Sequence, residues 1–140
     1  LYEVRKFIAL VALASMNENN CDEILSMALI RARFCEAIEN LTDHNESSSA
    51  YLTGLLSSIS AILQTQPEII IPKLPISDVI KDALLHKRGP LGQMLLLCEY
   101  YEESNWSEIK KISTKLGIDI DDLGNAHHQA LIWQTNNPIR

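Results

Sequence analysis

Apolar residues recur at three- and four-residue intervals along almost the whole chain, while the strict alternation of a half-buried strand is nearly absent. A first helix is predicted from about Tyr2 to Met16. The polar loop "NENN" follows, and Asn20 with Glu23 three residues on has the capping-box arrangement that opens a second helix. That helix runs to about Asn40, with an expected buried stripe of Ile24, Ala28, Ala32, Cys35 and Ile38, widened by Leu25 and Leu29. The loop "TDHNESSS" leads into a third helix, Ser47 to about Thr65. Only "EIIIP" at 68–72 has strand-like composition, and prolines 67, 72 and 75 bracket it too closely for a central strand, so an irregular connection is expected. Ser77 then caps "DVIKDALLHK", which Gly89-Pro90 is expected to stop. "LGQMLLLCEYYEES" supplies a fifth helix. Asn105 and Glu108 form a second capping box opening "WSEIKKISTKL", which ends at Gly117, and Asp119 caps a last helix reaching about Trp133. The prediction is one all-α domain, an irregular bundle of about seven helices with no internal repeat.

The third helix poses the sharpest question. In "AYLTGLLSSISAIL" (50–63), Leu52, Leu55, Leu56, Ile59 and Leu63 make a wide apolar face, yet Gly54 and Ser57, Ser58 and Ser60 interrupt it. Glycine costs roughly 1 kcal/mol against alanine in a helix, and serine hydroxyls compete for the helix backbone. Something other than packing is expected to account for them.

Composition narrows the function. With 140 residues, 46% hydrophobic and 21% charged, the chain can build one core and is not of disordered type. The longest apolar run, "FIALVALA" at 7–14, is far short of the ~20 residues of a membrane span and lacks a cleavage-site pattern. The chain starts at Leu1, directly in helical pattern, as expected of a piece of something longer. Net charge is −6, and the basic residues are scattered in pairs without forming a stripe, which argues against a polyanion partner. Three cysteines (21, 35 and 98) in no CxxC pair read as reduced thiols of a cytoplasmic protein, with Cys35 and Cys98 expected in the core.

No constellation in the sequence carries catalytic chemistry. His127 and His128 point about 100° apart on a helix and so cannot serve one metal together; one partly buried and one exposed histidine is expected. "EIKKISTKLGIDIDDLGNAHHQAL" has the outline of a helix-turn-helix, but its second helix opens with Asp119, Asp121 and Asp122, which repel phosphates and suit a helix N-terminus. No histidine lies within a helical turn of the serines at 57, 58 and 60, and Gly89-Pro90-Leu91-Gly92 is a turn, not a phosphate-binding loop. Arg33 and Glu36 can pair at i,i+3. Arg31, on the inner side between Ala28 and Cys35, must find an acceptor, either in a structural buried pair or in a charged contact to a partner. Trp106 and Tyr100-Tyr101 are the aromatics best suited to an exposed anchor, set against an ordinary core role.

The third helix resembles the central helix of the HD-domain superfamily, and most closely that of the HDOD branch, a degenerate relative of the HD-GYP phosphodiesterases. The metal-binding members read small–aromatic–Leu–x–Gly–Leu–Leu–His–Asp–Ile–Gly there. Gly54, Leu55, Leu56 and Ile59 match, while the ligand positions fall on Ser57 and Ser58 and the following glycine on Ser60. A further histidine ligand of the preceding helix falls, by a looser alignment, on Met27 or Ala28. Neutral hydroxyls and a thioether are poor ligands for a hard divalent cation, and without the metal there is no activated water. "ALIRARFCEAIEN", "AYLTGLLSSISAIL", "LPISDVIKDALL" and "YYEESNW", in that order, resemble the C-terminal half of EAL–HDOD proteins, in which an EAL cyclic-di-GMP phosphodiesterase module precedes the HDOD domain. The resemblance implies an HD-like fold lacking the front of its domain, no metal and no cofactor. It implies a non-catalytic signalling module that contacts its own EAL domain or another protein, with homo-oligomerisation an option. Arg31, Arg33, Glu36 and Trp106 are the candidate contact residues. Two alternatives stay open: a metal-dependent phosphohydrolase using Asp22, Glu36 and His44, and a helix-turn-helix DNA-binding regulator.

Overall fold

The computed structural model of the chain describes residues 21–42, 47–58 and 66–136. Its regular structure is entirely helical, in six helices of nine residues or more. In chain order they are α1 (Cys21–Asn40), α2 (Ser47–Leu56), α3 (Asp78–His86), α4 (Gly89–Glu102), α5 (Trp106–Leu116) and α6 (Ile120–Asn136). This is the predicted all-α bundle; the expected helix at 2–16 and the Asn20 cap lie outside the described residues.

α1 is the hub. It packs against α2, α4 and α6, and α4 in turn packs against α2, α3 and α5. Ala28, Ala32, Cys35 and Ile38 are fully buried, as the periodicity predicts, and Phe34 joins them on a second face. A helix buried on so much of its surface must pack small residues where neighbours come closest. Along α1 these are Ala28 and Ala32, which cluster with Leu55 of α2.

Gly54 is the counterpart on α2. A Cβ there would lie 2.9 Å from Ala32 Cα, 2.9 Å from Cys35 Sγ and 3.0 Å from the Arg31 carbonyl oxygen. This corrects the expectation that Gly54 serves something other than packing, because glycine is what lets α2 approach the backbone of α1. The third helix is also shorter than predicted. Its α-helical stretch ends at Leu56, and Ser57 and Ser58 form a turn. Ser57 Oγ donates to the Gly54 carbonyl at 2.6 Å and Ser58 N to the Leu55 carbonyl at 3.3 Å, both three residues back. The backbone competition expected of serine thus closes the helix where the apolar period alone would carry it on. Ile59, Ser60 and the rest of the stretch to Thr65 lie outside the described residues.

Between α2 and α3, the "EIII" segment is not irregular. Pro67–Ile70 makes one α-turn and Ile71–Lys73 a 3₁₀ turn, with Ile71 buried. Ser77 caps α3 as predicted, its hydroxyl accepting from Ile80 N at 3.4 Å. Gly89-Pro90 does not stop α3. Lys87, in the left-handed region at φ 54°, ends it, and Gly89-Pro90 opens α4, where proline's missing N–H costs nothing. The tight reversal requires glycine at 92, where a Cβ would fall 2.2 Å from the Lys87 carbonyl carbon.

Asn105 caps α5 by accepting from Glu108 N at 3.5 Å. The reciprocal half of the capping box does not form: Asn105 N donates to the Tyr100 carbonyl, and the Glu108 carboxylate pairs with Lys111. Gly117, at φ 73°, ends α5, and Ile118 N bonds back to the Ser113 carbonyl at 2.8 Å. Asp119 Oδ1 accepts from Asp121 N at 2.8 Å at the start of α6, which extends to Asn136, one turn beyond Trp133.

The close α1–α2 approach makes a test by paired substitution. Gly54→Ala gains about 1 kcal/mol of helix propensity but forces backbone apart, and the expected net loss is about 1–3 kcal/mol. At Gly124, also mid-helix, an added Cβ meets only the Tyr101 hydroxyl at 3.7 Å, so Gly124→Ala is expected to stabilise by up to about 1 kcal/mol. Urea unfolding midpoints of the two variants should move in opposite directions.

Candidate functional site

The turn after α2 carries the two serines at the ligand positions of the resemblance, and α1 presents an arginine to the first of them. Arg31 Nη1 donates to Ser57 Oγ at 3.0 Å. The rest of the same guanidinium grips Glu102 in the last turn of α4: Nε to Oε2 at 3.0 Å and Nη2 to Oε1 at 2.5 Å. This two-pronged geometry is the strong form of an arginine–carboxylate bond. One side chain therefore ties α1 to the end of α2 and the end of α4. Burial works against the charge on Arg31, but the bond to Glu102 and its negative charge outweigh it, so the guanidinium is held more firmly protonated than usual. For Glu102 the pairing also offsets its place at the negative end of the α4 dipole.

Beneath the pair lie two thiols. Cys35 and Cys98 are both free and fully buried, as expected. Cys98 Sγ donates to Glu102 Oε2 at 3.7 Å. Burial, the Cys35 thiol and Glu102 together push the Cys98 thiol well above its ordinary range. A thiol so placed stays protonated, and neither nucleophilic attack nor metal binding suits it.

An aromatic cluster closes the same end of the bundle. The His127 ring lies 4.9 Å from Phe34 and 4.9 Å from Tyr101, and Phe34 meets Tyr101 edge-on at 5.2 Å. His127 is partly buried and His128 exposed, as predicted. Trp106 meets Tyr101 edge-on at 5.9 Å and is 53% exposed, so much of its indole faces solvent.

The structure brings together some of the sequence-selected residues and separates others. Ser57 and Arg31 meet; Ser58 sits one residue further along the turn. Of the two α1 positions onto which the resemblance lays a histidine, Ala28 is buried against Leu55 and Met27 is 63% exposed. Arg33 pairs with Glu36 at 3.0 Å as predicted, on a different face of α1. For the alternative ligand set, Glu36 is therefore engaged by Arg33, while the Asp22 side chain and His44 lie outside the described residues. Among the described residues no three His, Cys, Asp or Glu side chains converge as metal ligands. The donor chemistry here does not suit a divalent cation either: a serine hydroxyl already bonded to a guanidinium offers the wrong ligand beside the wrong charge. The three aspartates at the start of α6 are exposed and face outward. Sequence reasoning missed Glu102. Its one signal is a carboxylate in the last turn of a helix, which a nearby cation must offset.

These features define an all-helical bundle in which an arginine–glutamate clasp stands at the mouth of an α1–α2–α4 crossing. Among known proteins, the chain is 31% identical over 134 residues to the cyclic di-GMP phosphodiesterase CdgJ of Vibrio cholerae, covering 94% of this chain and 31% of that protein. It is 28% identical over 137 residues to the uncharacterized protein YuxH of Bacillus subtilis, covering 96% of this chain and 33% of that protein. The chain thus spans about a third of the length of the curated relatives it matches. No family model and no solved structure matches it. No helix among the described residues is long and apolar enough to cross a membrane.

Two predictions follow from this geometry. In a double-mutant cycle of Arg31→Met and Glu102→Gln, the coupling energy is expected at about 1–2 kcal/mol, the range for a two-pronged, partly buried charged bond. The same cycle on Arg33 and Glu36, an i,i+3 pair with both side chains about one-third exposed, should give under ~0.5 kcal/mol. Equal couplings would remove the clasp's special place. The second concerns pH. Burial holds His127 below its ordinary value, with nearby His128 adding to the shift and Glu102 opposing it. The unfolded chain therefore takes up this proton first on acidification. The contribution is present above the ordinary histidine range and is lost as pH falls through the folded value. Unfolding midpoints should drop between pH 7 and pH 5, and His127→Phe should flatten that slope.

Proposed function

We propose that this chain is a non-catalytic regulatory module of a cyclic-di-GMP signalling protein, built as part of an HDOD domain and acting by protein–protein contact. Its partner is an EAL domain of its own polypeptide or another component of the same signalling system. The observation that carries the reading is the Arg31–Ser57–Glu102 clasp. Where a metal-dependent hydrolase of similar frame needs imidazole and carboxylate, this chain has a hydroxyl bonded to a guanidinium. A permanently charged arginine serves as an organic cation that cross-links helices but activates no water. The similarity to CdgJ, which is named a cyclic di-GMP phosphodiesterase, supports the signalling context. Because only about a third of that protein is matched, activity in such a protein is assigned here to the part this chain does not cover. Trp106, exposed beside Tyr101, is the residue on which contact is expected to centre, since tryptophan is enriched among interface anchors.

The test uses the protein that carries this segment in the cell. Trp106→Ala is expected to change its cyclic-di-GMP turnover or its self-association several-fold, while the fold, read by circular dichroism, is unchanged. In parallel, the purified 140-residue chain, incubated with manganese, magnesium or iron, is expected not to turn over cyclic di-GMP. Turnover by that chain would overturn the non-catalytic reading. An unaltered parent after both Trp106→Ala and removal of residues 21–136 would overturn the regulatory one.

A further inference from the structure

On another face of α1 from the clasp, a groove opens between α1 and α6. Its volume is about 230 Å³. The floor is made by Ala37, Ala126 and Ala130, short side chains at the helix crossing that leave a flat apolar surface. The rim carries Arg33 and Glu36 from α1 and Gln129 and Trp133 from α6.

Arg33 is held in an unusual way. Its guanidinium carbon lies 3.9 Å from the centre of the Trp133 ring and 5.6 Å from that of Tyr51. A guanidinium stacked on an indole is fixed in orientation before anything binds, which lowers the ordering cost of recognition. Arginine has five N–H donors. Here Nη1 bonds Glu36, and Nε is buried away from the groove, so the N–H groups left to meet a ligand are those at the Nη1 and Nη2 end of the fork. Glu36 supplies acceptor oxygens, and the exposed Gln129 amide supplies both kinds of group.

An apolar floor, a donor fork seated on an indole and a carboxylate within one helical turn complement a flat heterocycle with separate donor and acceptor edges. The volume is below the ~300 Å³ lower end for drug-sized ligands, so it suits one ring system. Among nucleobases, guanine fits this chemistry best. Its O6 and N7 accept two N–H bonds from one arginine, while N1–H and the 2-amino group together donate to one carboxylate. Adenine offers a carboxylate no such paired donors. The Arg33–Glu36 pair must open to admit the base, and an i,i+3 pair with both side chains about one-third exposed is worth only a few tenths of a kcal/mol.

We infer that the α1–α6 groove is a guanine-binding site, with Arg33, held by Trp133, reading the O6/N7 edge, Glu36 the N1/N2 edge and the alanine floor the ring face. The base could come from a mononucleotide or from a cyclic dinucleotide whose second base stays outside. This goes beyond the docking function, and its failure leaves that reading standing, since the two rest on different faces and different readouts.

The experiment titrates the ¹⁵N-labelled 140-residue chain separately with GMP, AMP and cyclic di-GMP and follows the Trp133 indole N–H resonance, assigned by Trp106→Phe. Saturable shifts with GMP, at least tenfold weaker with AMP, are expected. Arg33→Lys and Glu36→Gln should each weaken GMP binding tenfold or more while the remaining spectrum stays that of the folded chain. Tighter binding of cyclic di-GMP than of GMP would make the dinucleotide the source, and the reverse order a mononucleotide. No saturable shift with either guanine ligand, an equal response to AMP, or binding indifferent to both variants would overturn the proposal.

Discussion

A guanidinium reaching from the middle of one helix to the last turn of another, 71 residues later in the chain, sets the arrangement at this end of the bundle. Arg31 cannot be left half-buried without acceptors, because an unpaired charge there costs several kcal/mol. Glu102 cannot sit comfortably at a helix C-terminus without a cation. Each residue corrects the other's misplacement, and Ser57 takes the one remaining direction of the fork. The bond therefore specifies where α4 ends relative to α1 more than it adds to stability, since both side chains keep some contact with water. Cys98 and His127 then adjust to that anion: the thiol donates to it, and the imidazole is pulled both ways by burial and by its charge.

The clasp depends in turn on how closely α2 lies against α1. Gly54, Ala28 and Ala32 bring the two backbones together, and only then is Ser57, one turn beyond Gly54, within reach of Arg31. The hydroxyl that accepts from Arg31 also donates to the Gly54 carbonyl. Glycine for approach and serine for termination are thus linked. The residues that look anomalous in an apolar helix are the ones that fix its distance to α1 and its end.

Much of this fold is legible in the sequence where the determining chemistry is local. Ser77, Asn105, Gly117 and Asp119 act within three or four residues of themselves, and each caps or ends the helix it was expected to. The buried stripe of α1 follows from its period. What is not legible depends on contacts across the fold. Lys87 takes a left-handed conformation that sequence assigns to glycine, and the α4 backbone at Gly92 lies against it where no side chain would fit. The end of α2 at Leu56 was hidden because apolar spacing continues beyond it. Arg31 was legible as a residue in need of an acceptor, but not which one: nothing within a helical turn of Glu102 names its partner. The Arg33 stack on Trp133 and Tyr51 joins three separate helices and left no mark in any short stretch.

Arg31 and Arg33 show how one helix can carry two different uses of the same side chain. They lie two residues apart, so they leave α1 in nearly opposite directions. Arg31 meets a carboxylate from a distant helix and a hydroxyl from another through all three of its nitrogens, which makes it part of the frame. Arg33 meets aromatic faces and a carboxylate from its own helix. Stacking orients a guanidinium without using its N–H groups, and a short-range ion pair is easily exchanged. The same residue type is therefore locked in one direction and poised in the other. The difference lies in what receives the charge: a fixed two-pronged acceptor removes an arginine from further recognition, whereas an aromatic platform preserves it.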